Sequence, residues 1–108
     1  MVMAIPLALL ISIAPLIDAV TPPVGTAVRG QVLDDRRQPV AGATVTFEAR
    51  DTTHIRVVVT DAAGRFEIDA MDLGRHVVQV QHPFYRVATL PHDFGAGDSD
   101  MSISLIRR

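Results

Sequence analysis

The nine residues Thr60-Asp61-Ala62-Ala63-Gly64-Arg65-Phe66-Glu67-Ile68 restrict the fold of this chain more than any other stretch. A polar turn with one glycine separates the apolar run at residues 55–59 from a segment where charged and apolar residues alternate. That pattern predicts a β-hairpin. Asp61 is placed to fold its carboxylate onto nearby backbone N–H groups. Gly64 is placed to take a left-handed backbone conformation, which costs a residue with a side chain about 1 kcal/mol or more. Once the turn is set, Phe66 and Ile68 share one face and Arg65, Glu67 and Asp69 the other, so a slip of one residue would bury charge.

The same period of two recurs on either side of this turn. A first strand opens near Ala27, with Val28, Gly30 and Val32 on one face, and stops at Asp34-Asp35-Arg36-Arg37. After Pro39-Val40-Ala41-Gly42 comes the clearest strand, in which Ala43, Val45, Phe47 and Ala49 alternate with Thr44, Thr46, Glu48 and Arg50. Residues 55–60 and 65–70 flank the central turn as the third and fourth strands. Residues 75–82 form the fifth, with Val78 and Val80 inward and Gln79 and Gln81 outward. Pro83 must sit at a strand end or edge. A sixth strand covers about residues 85–90, and residues 91–99 read as the longest loop. Met101, Ile103 and Leu105 alternate with Ser102 and Ser104 in a closing strand. Seven short strands with turn signals every 8 to 12 residues or so predict an all-β, seven-stranded antiparallel Greek-key sandwich.

Residues 1–17 are apolar apart from Ser12 and are followed by Asp18-Ala19-Val20, with a small residue where a signal peptidase could cut. The chain is therefore expected to divide into a signal peptide at residues 1–19, a linker at 20–26 stiffened by Pro22 and Pro23, and one sandwich domain at 27–108. Cleavage after Ala19 would leave a secreted or periplasmic protein with no membrane attachment. The alternative is an anchor formed by residues 1–17, although the run is short beside the roughly 20 residues of a spanning helix and Pro6 and Pro15 interrupt it.

Composition removes several function classes. A net charge of -2 and a pI near 6.0 give no basic field for nucleic acid. The absence of cysteine excludes disulfides, thiolate nucleophiles and thiolate metal sites. All ten cationic side chains are arginine, so Schiff-base chemistry and a phosphate-loop lysine are excluded as well.

Taken together, Gly30-Gln31-Val32 with Asp34, Pro39-Val40-Ala41-Gly42-Ala43-Thr44-Val45, the Thr60 to Phe66 turn, and Gly74 with Val78 and Val80 resemble the carboxypeptidase regulatory-like domain. The resemblance runs from Ala27 to the end of the chain and departs from the family pattern at His76 and at Phe84-Tyr85. It implies a transthyretin-like or prealbumin-like sandwich, related in shape to immunoglobulin domains. It also implies a non-catalytic module, found alone in exported bacterial proteins or appended to carboxypeptidases and outer-membrane receptors.

The residues give less support to sharper chemical readings. Transthyretin-like hydrolases carry a first-strand His and a Tyr-Arg-Gly-Ser tail, whereas this chain has Gln31 and ends Ser104-Leu105-Ile106-Arg107-Arg108. His54, His76, His82 and His92, with Met71 or Met101, have no metal-ligand spacing, so no metal and no cofactor are expected. Ser99, His92 and Asp93 are the only close nucleophilic trio, and a hydrogen-bonded turn accounts for them more simply. No catalytic residue is assigned. Phe84, Tyr85 and Phe94 are the only aromatic candidates for a carbohydrate platform, and Arg36-Arg37 and Arg107-Arg108 read as solvated charge. The expected function is a structural or protein-interaction module with a protein or cell-envelope partner, contacted through an exposed edge strand or the loop at residues 91–99. The alternative is a small-ligand binder, for sugar or metal, at the loop end carrying His92 and Phe94.

Overall fold

Seven strands carry the alternation: β1 (Thr26–Asp34), β2 (Thr44–Ala49), β3 (Ile55–Val59), β4 (Arg65–Met71), β5 (Gly74–His82), β6 (Tyr85–Phe94) and β7 (Ser99–Leu105). The computed structural model describes residues 26–108. The expected signal segment and all but the last residue of the expected linker lie outside the described residues, and Thr26 itself opens β1.

The strands form two sheets, one in the order β4-β1-β7 and the other in the order β3-β2-β5-β6. Pairing is antiparallel except between β1 and β7, which run parallel from Val28 beside Ser99 to Asp34 beside Leu105. A parallel pair needs a long crossover. Here everything between the first and last strands supplies it.

The inner faces meet in one core. Val28, Val32, Val45, Phe47, Met71, Val78, Val80, Phe94 and Leu105 are fully buried there. Phe47 sits at the centre, with its ring centroid 5.8 Å from that of Phe66 and 6.1 Å from that of Phe94. Burying each such side chain contributes about 1.5–3 kcal/mol. Gly30 is required by this packing, because a Cβ there would lie 2.1 Å from the ring of Phe66.

The central turn forms as its residues dictate, but it is not a hairpin. Asp61 Oδ1 accepts the N–H groups of Ala63 and Arg65, each at 2.9 Å, and Gly64 has φ +73°. The strands it joins nevertheless belong to different sheets. The main chain of Thr60 donates to Ala43 at 2.9 Å, and its hydroxyl accepts from Ala43 N–H at 2.9 Å and donates to Val40 O at 2.7 Å. Those bonds hold the end of β3 beside β2. The carbonyl of Gly64 meanwhile accepts from Val32 N–H at 2.7 Å and ties the start of β4 to β1. The turn is therefore a corner between sheets, and nonlocal hydrogen bonds decide where each arm goes.

The loop expected at residues 91–99 is also shorter than its composition suggests. β6 continues through Pro91 to Phe94, and only residues 95–98 lie outside strands. Proline is accommodated because β6 is the edge of its sheet, where one row of main-chain groups has no ladder partner. Phe94 draws the strand onward by burying its ring against Phe47 and His76.

Candidate functional site

The residues that chemistry would have used are dispersed. His54 pairs with Asp72 at an exposed loop. His76 is buried, with Nδ1 3.0 Å from the carbonyl of Gly74 and its ring edge-on to Phe94. His82 accepts the N–H of Phe84 and lies against Tyr85. His92 faces His76 across the β5–β6 ladder, with its ring 4.4 Å from that of Phe94. Met71 and Met101 are core residues. Among the described residues, no group of three or more His, Cys, Asp or Glu side chains could hold a metal ion.

The loop-end reading of His92 and Phe94 is corrected by the same geometry. Both residues are in β6, and Phe94 is 1% exposed, so it offers no surface to a ligand. Tyr85 is buried too. Of the proposed aromatic platform only Phe84 is open, at 68%. Ser99 stands at the start of β7, apart from His92 and Asp93 on β6, so the trio does not share a loop.

One acid is buried among the described residues. Asp34 Oδ1 accepts the N–H groups of Arg36 and Gln38, each at 2.8 Å. Its Oδ2 lies 3.5 Å from both the Tyr85 hydroxyl and Arg107 Nη2, and the Arg107 guanidinium sits over the Tyr85 ring. The Gln38 N–H is the largest influence holding the carboxyl below its usual pKa; Arg36 N–H, Arg107 and Tyr85 add to it, and burial opposes it. Held firmly by the β1 turn at Oδ1 and approached by Tyr85 and the chain end at Oδ2, this carboxylate ties those elements together. Arg107 is thus solvated as its sequence suggested, more than half exposed, and also lies 3.5 Å from a buried carboxylate.

The feature left unpartnered is a surface. On the outer face of the three-stranded sheet, Arg29, Gln31, Arg65, Glu67, Asp69, Asp100, Ser102 and Ser104 alternate with core residues, and Arg29 pairs with Glu67 at 3.2 Å. The outer face of the four-stranded sheet is of another kind. Register places Ile55 beside Glu48 and Val77, Val57 beside Thr46 and Gln79, and Val59 beside Thr44 and Gln81. Glu48 is the single charge in those rows.

Ile55, Val57 and Val59 are 56%, 59% and 57% exposed. They lie on β3, an edge strand. Their inward neighbours show why the strand is oriented this way. Val58 packs on the core, while Arg56 reaches across the open side of the sandwich to donate to the carbonyls of Asp69 and Ala70, each at 3.1 Å. Ala70 has φ +55°, next to the irregularity in the β1–β4 register. The sequence Ile-Arg-Val-Val-Val conceals this arrangement, since an apolar run shows no alternation from which to tell inside from outside.

The folded part has counterparts among known proteins. A chain of a type II cohesin–X–dockerin complex from Acetivibrio cellulolyticus is 26% identical, with TM-score 0.59, over 75% of this chain and 57% of that one. Catechol 1,2-dioxygenase from Pseudomonas arvilla superposes with TM-score 0.64 at 14% identity, over 83% of this chain and 54% of the enzyme. The group B streptococcus pilus 2b backbone protein gives 0.62 at 11%, over 77% of this chain and 41% of that one. This chain therefore spans between two-fifths and three-fifths of these structures, and the two below 25% identity share the fold alone. No curated protein matches the sequence. The carboxypeptidase regulatory-like domain family matches residues 27–105, nearly all of the described part, and the chain belongs to that family.

Proposed function

We propose that this protein is an exported, non-catalytic interaction module whose contact surface is the outer face of the four-stranded sheet together with its β3 edge. The observation that carries the reading is the row Ile55, Val57 and Val59, each more than half exposed, on a face with one charge in its central rows. Large apolar side chains held in contiguous rows on a sheet face mark contact surfaces. The cohesin–dockerin and pilus neighbours support the class, since both names describe assembled proteins. Export rests on the apolar segment at residues 1–17 and the site after Ala19. Among the described residues no helix is long and apolar enough to cross a membrane.

A photo-crosslinking side chain placed at Val57 or Thr46 in the native host tests the surface, with the same probe at Glu67 and Ser102 as controls on the other sheet. Adducts confined to the first pair are expected. Equal labelling of both faces, or labelling of the three-stranded sheet alone, would remove the assignment.

A further inference from the structure

The four sheet edges are not equally defended. β4 presents Arg65, Glu67 and Asp69 along its solvent face, and β7 presents Asp100, Ser102 and Ser104. β6 carries Pro91, and its first residues are covered by the chain end: Arg86 N–H donates to Ile106 O at 2.8 Å and Arg108 N–H to Phe84 O at 3.1 Å. Charges, prolines and covering segments are the devices that keep edge strands from pairing with other chains. Among the described residues β3 has none of them on its solvent face, and its one charged residue, Arg56, is folded back onto β4.

The register shows which main-chain groups this leaves open. Thr60 and His54 are bonded to Ala43 and Ala49 through the main chain, so the alternation of an antiparallel ladder gives Arg56 and Val58 to β2. The N–H and C=O groups of Ile55, Val57 and Val59 then point away from the sheet. Among the described residues the same three thus offer main chain without a ladder partner and exposed β-branched side chains.

We infer that the occupant of this edge is the β3 strand of a second copy, paired antiparallel about a two-fold axis at Val57 and joining the two four-stranded sheets into one. The inference rests on the contact-surface reading above and names its partner. The edge complements itself. About that axis Val57 meets Val57 of the second copy and Ile55 meets its Val59, which makes a continuous apolar row on the outer face. On the inner face Arg56 falls opposite Val58 and His54 opposite Thr60, so no like charges stand directly opposite, and the two Arg56 side chains, diagonal neighbours across the axis, are each drawn back onto the Asp69 and Ala70 carbonyls of their own copy. An isologous contact of this kind closes at two copies and builds no fibre. Because β3 has only five residues, the contact falls below the roughly 1,200 Å² of stable interfaces, and the pair dissociates on dilution.

Sedimentation equilibrium of the purified chain across a concentration series provides the test. A reversible monomer–dimer equilibrium is expected. Val57→Arg, which sets two guanidinium groups opposite each other at an exposed position, should weaken it by about tenfold or more, while Glu67→Arg leaves it unchanged. The chain has no cysteine of its own, so oxidation of Val57→Cys should give one covalent dimer, and oxidation of Ser102→Cys should not. A chain that stays monomeric at every concentration, or equal crosslinking of both cysteine variants, would overturn the second-copy assignment. If the Val57 photoprobe then labels a different protein in the host, the contact surface stands and its partner is heterologous. If the probe labels nothing, both readings fall.

Discussion

Gly42 and Gly64 have the same backbone conformation, φ +73°, in different surroundings, so substituting alanine at each separates conformational strain from close approach. At Gly42 an added Cβ meets nothing within 4 Å. The cost is the left-handed strain alone, about 1 kcal/mol. At Gly64 the same Cβ would lie 2.6 Å from the carbonyl oxygen of Val32 and 3.0 Å from the nitrogen of Val40. Those are main-chain atoms and cannot swing aside. Relief requires the turn to lift from β1, which breaks the 2.7 Å bond from Val32 N–H to Gly64 O. Losing that bond costs a further ~1 kcal/mol, and disturbing Val32, fully buried beneath it, costs about as much again. Gly64→Ala should therefore destabilise by about 3 kcal/mol against about 1 for Gly42→Ala. For a domain of this size each kcal/mol lowers Tm by roughly 4–8 °C, which makes the difference plain in urea or thermal unfolding. Equal losses for the two variants would refute the claim that the turn is seated on β1 as a corner between sheets.

Three further outcomes follow from named contacts. Thr60→Val leaves the Ala43 N–H and Val40 carbonyl without their buried partner and should cost about 1–3 kcal/mol, while Thr60→Ser retains most of the stability; chemical denaturation measures both. The folded pKa of Asp34 lies below its unfolded value, chiefly through the Gln38 N–H, so its stabilisation is complete above the unfolded value and is lost as pH falls through the folded one. The stability gap between wild type and Asp34→Asn should therefore be constant near neutrality and close below about pH 4, and a gap independent of pH down to acid unfolding would contradict the charged lock. Phe94→Ala should cost about 3–5 kcal/mol as a core truncation, whereas Phe84→Ala should stay within about 0.5 kcal/mol; the reverse order would return Phe94 to the surface.

Much of the architecture was legible in residue order because one face of each sheet is apolar and the other wet. Val45 and Phe47 between Thr44, Thr46 and Glu48 fix the facing of β2, and Phe66 and Ile68 between Arg65, Glu67 and Asp69 fix that of β4. What residue order concealed was decided by partners distant along the chain. The Thr60 turn carries every local mark of a hairpin, yet Ala43 and Val40 hold one arm and Val32 the other. Pro91 reads as a strand breaker unless the strand is known to be an edge. Arg107 reads as solvated, which it is, but nothing local shows that Asp34 and Tyr85 lie beneath it. The candidate surface was the least visible feature, because which valines of β3 face outward depends on Arg56 reaching two carbonyls of β4.

Amide hydrogen exchange along β3, followed by NMR at two protein concentrations, bears most directly on the contact surface and its partner. In dilute solution the amides of Ile55, Val57 and Val59 should exchange freely while those of Arg56 and Val58 are protected by β2, and raising the concentration should protect the first three as well. Uniform protection across residues 55–59 in dilute solution, or an alternation that concentration leaves untouched, would contradict an open edge that a second copy fills.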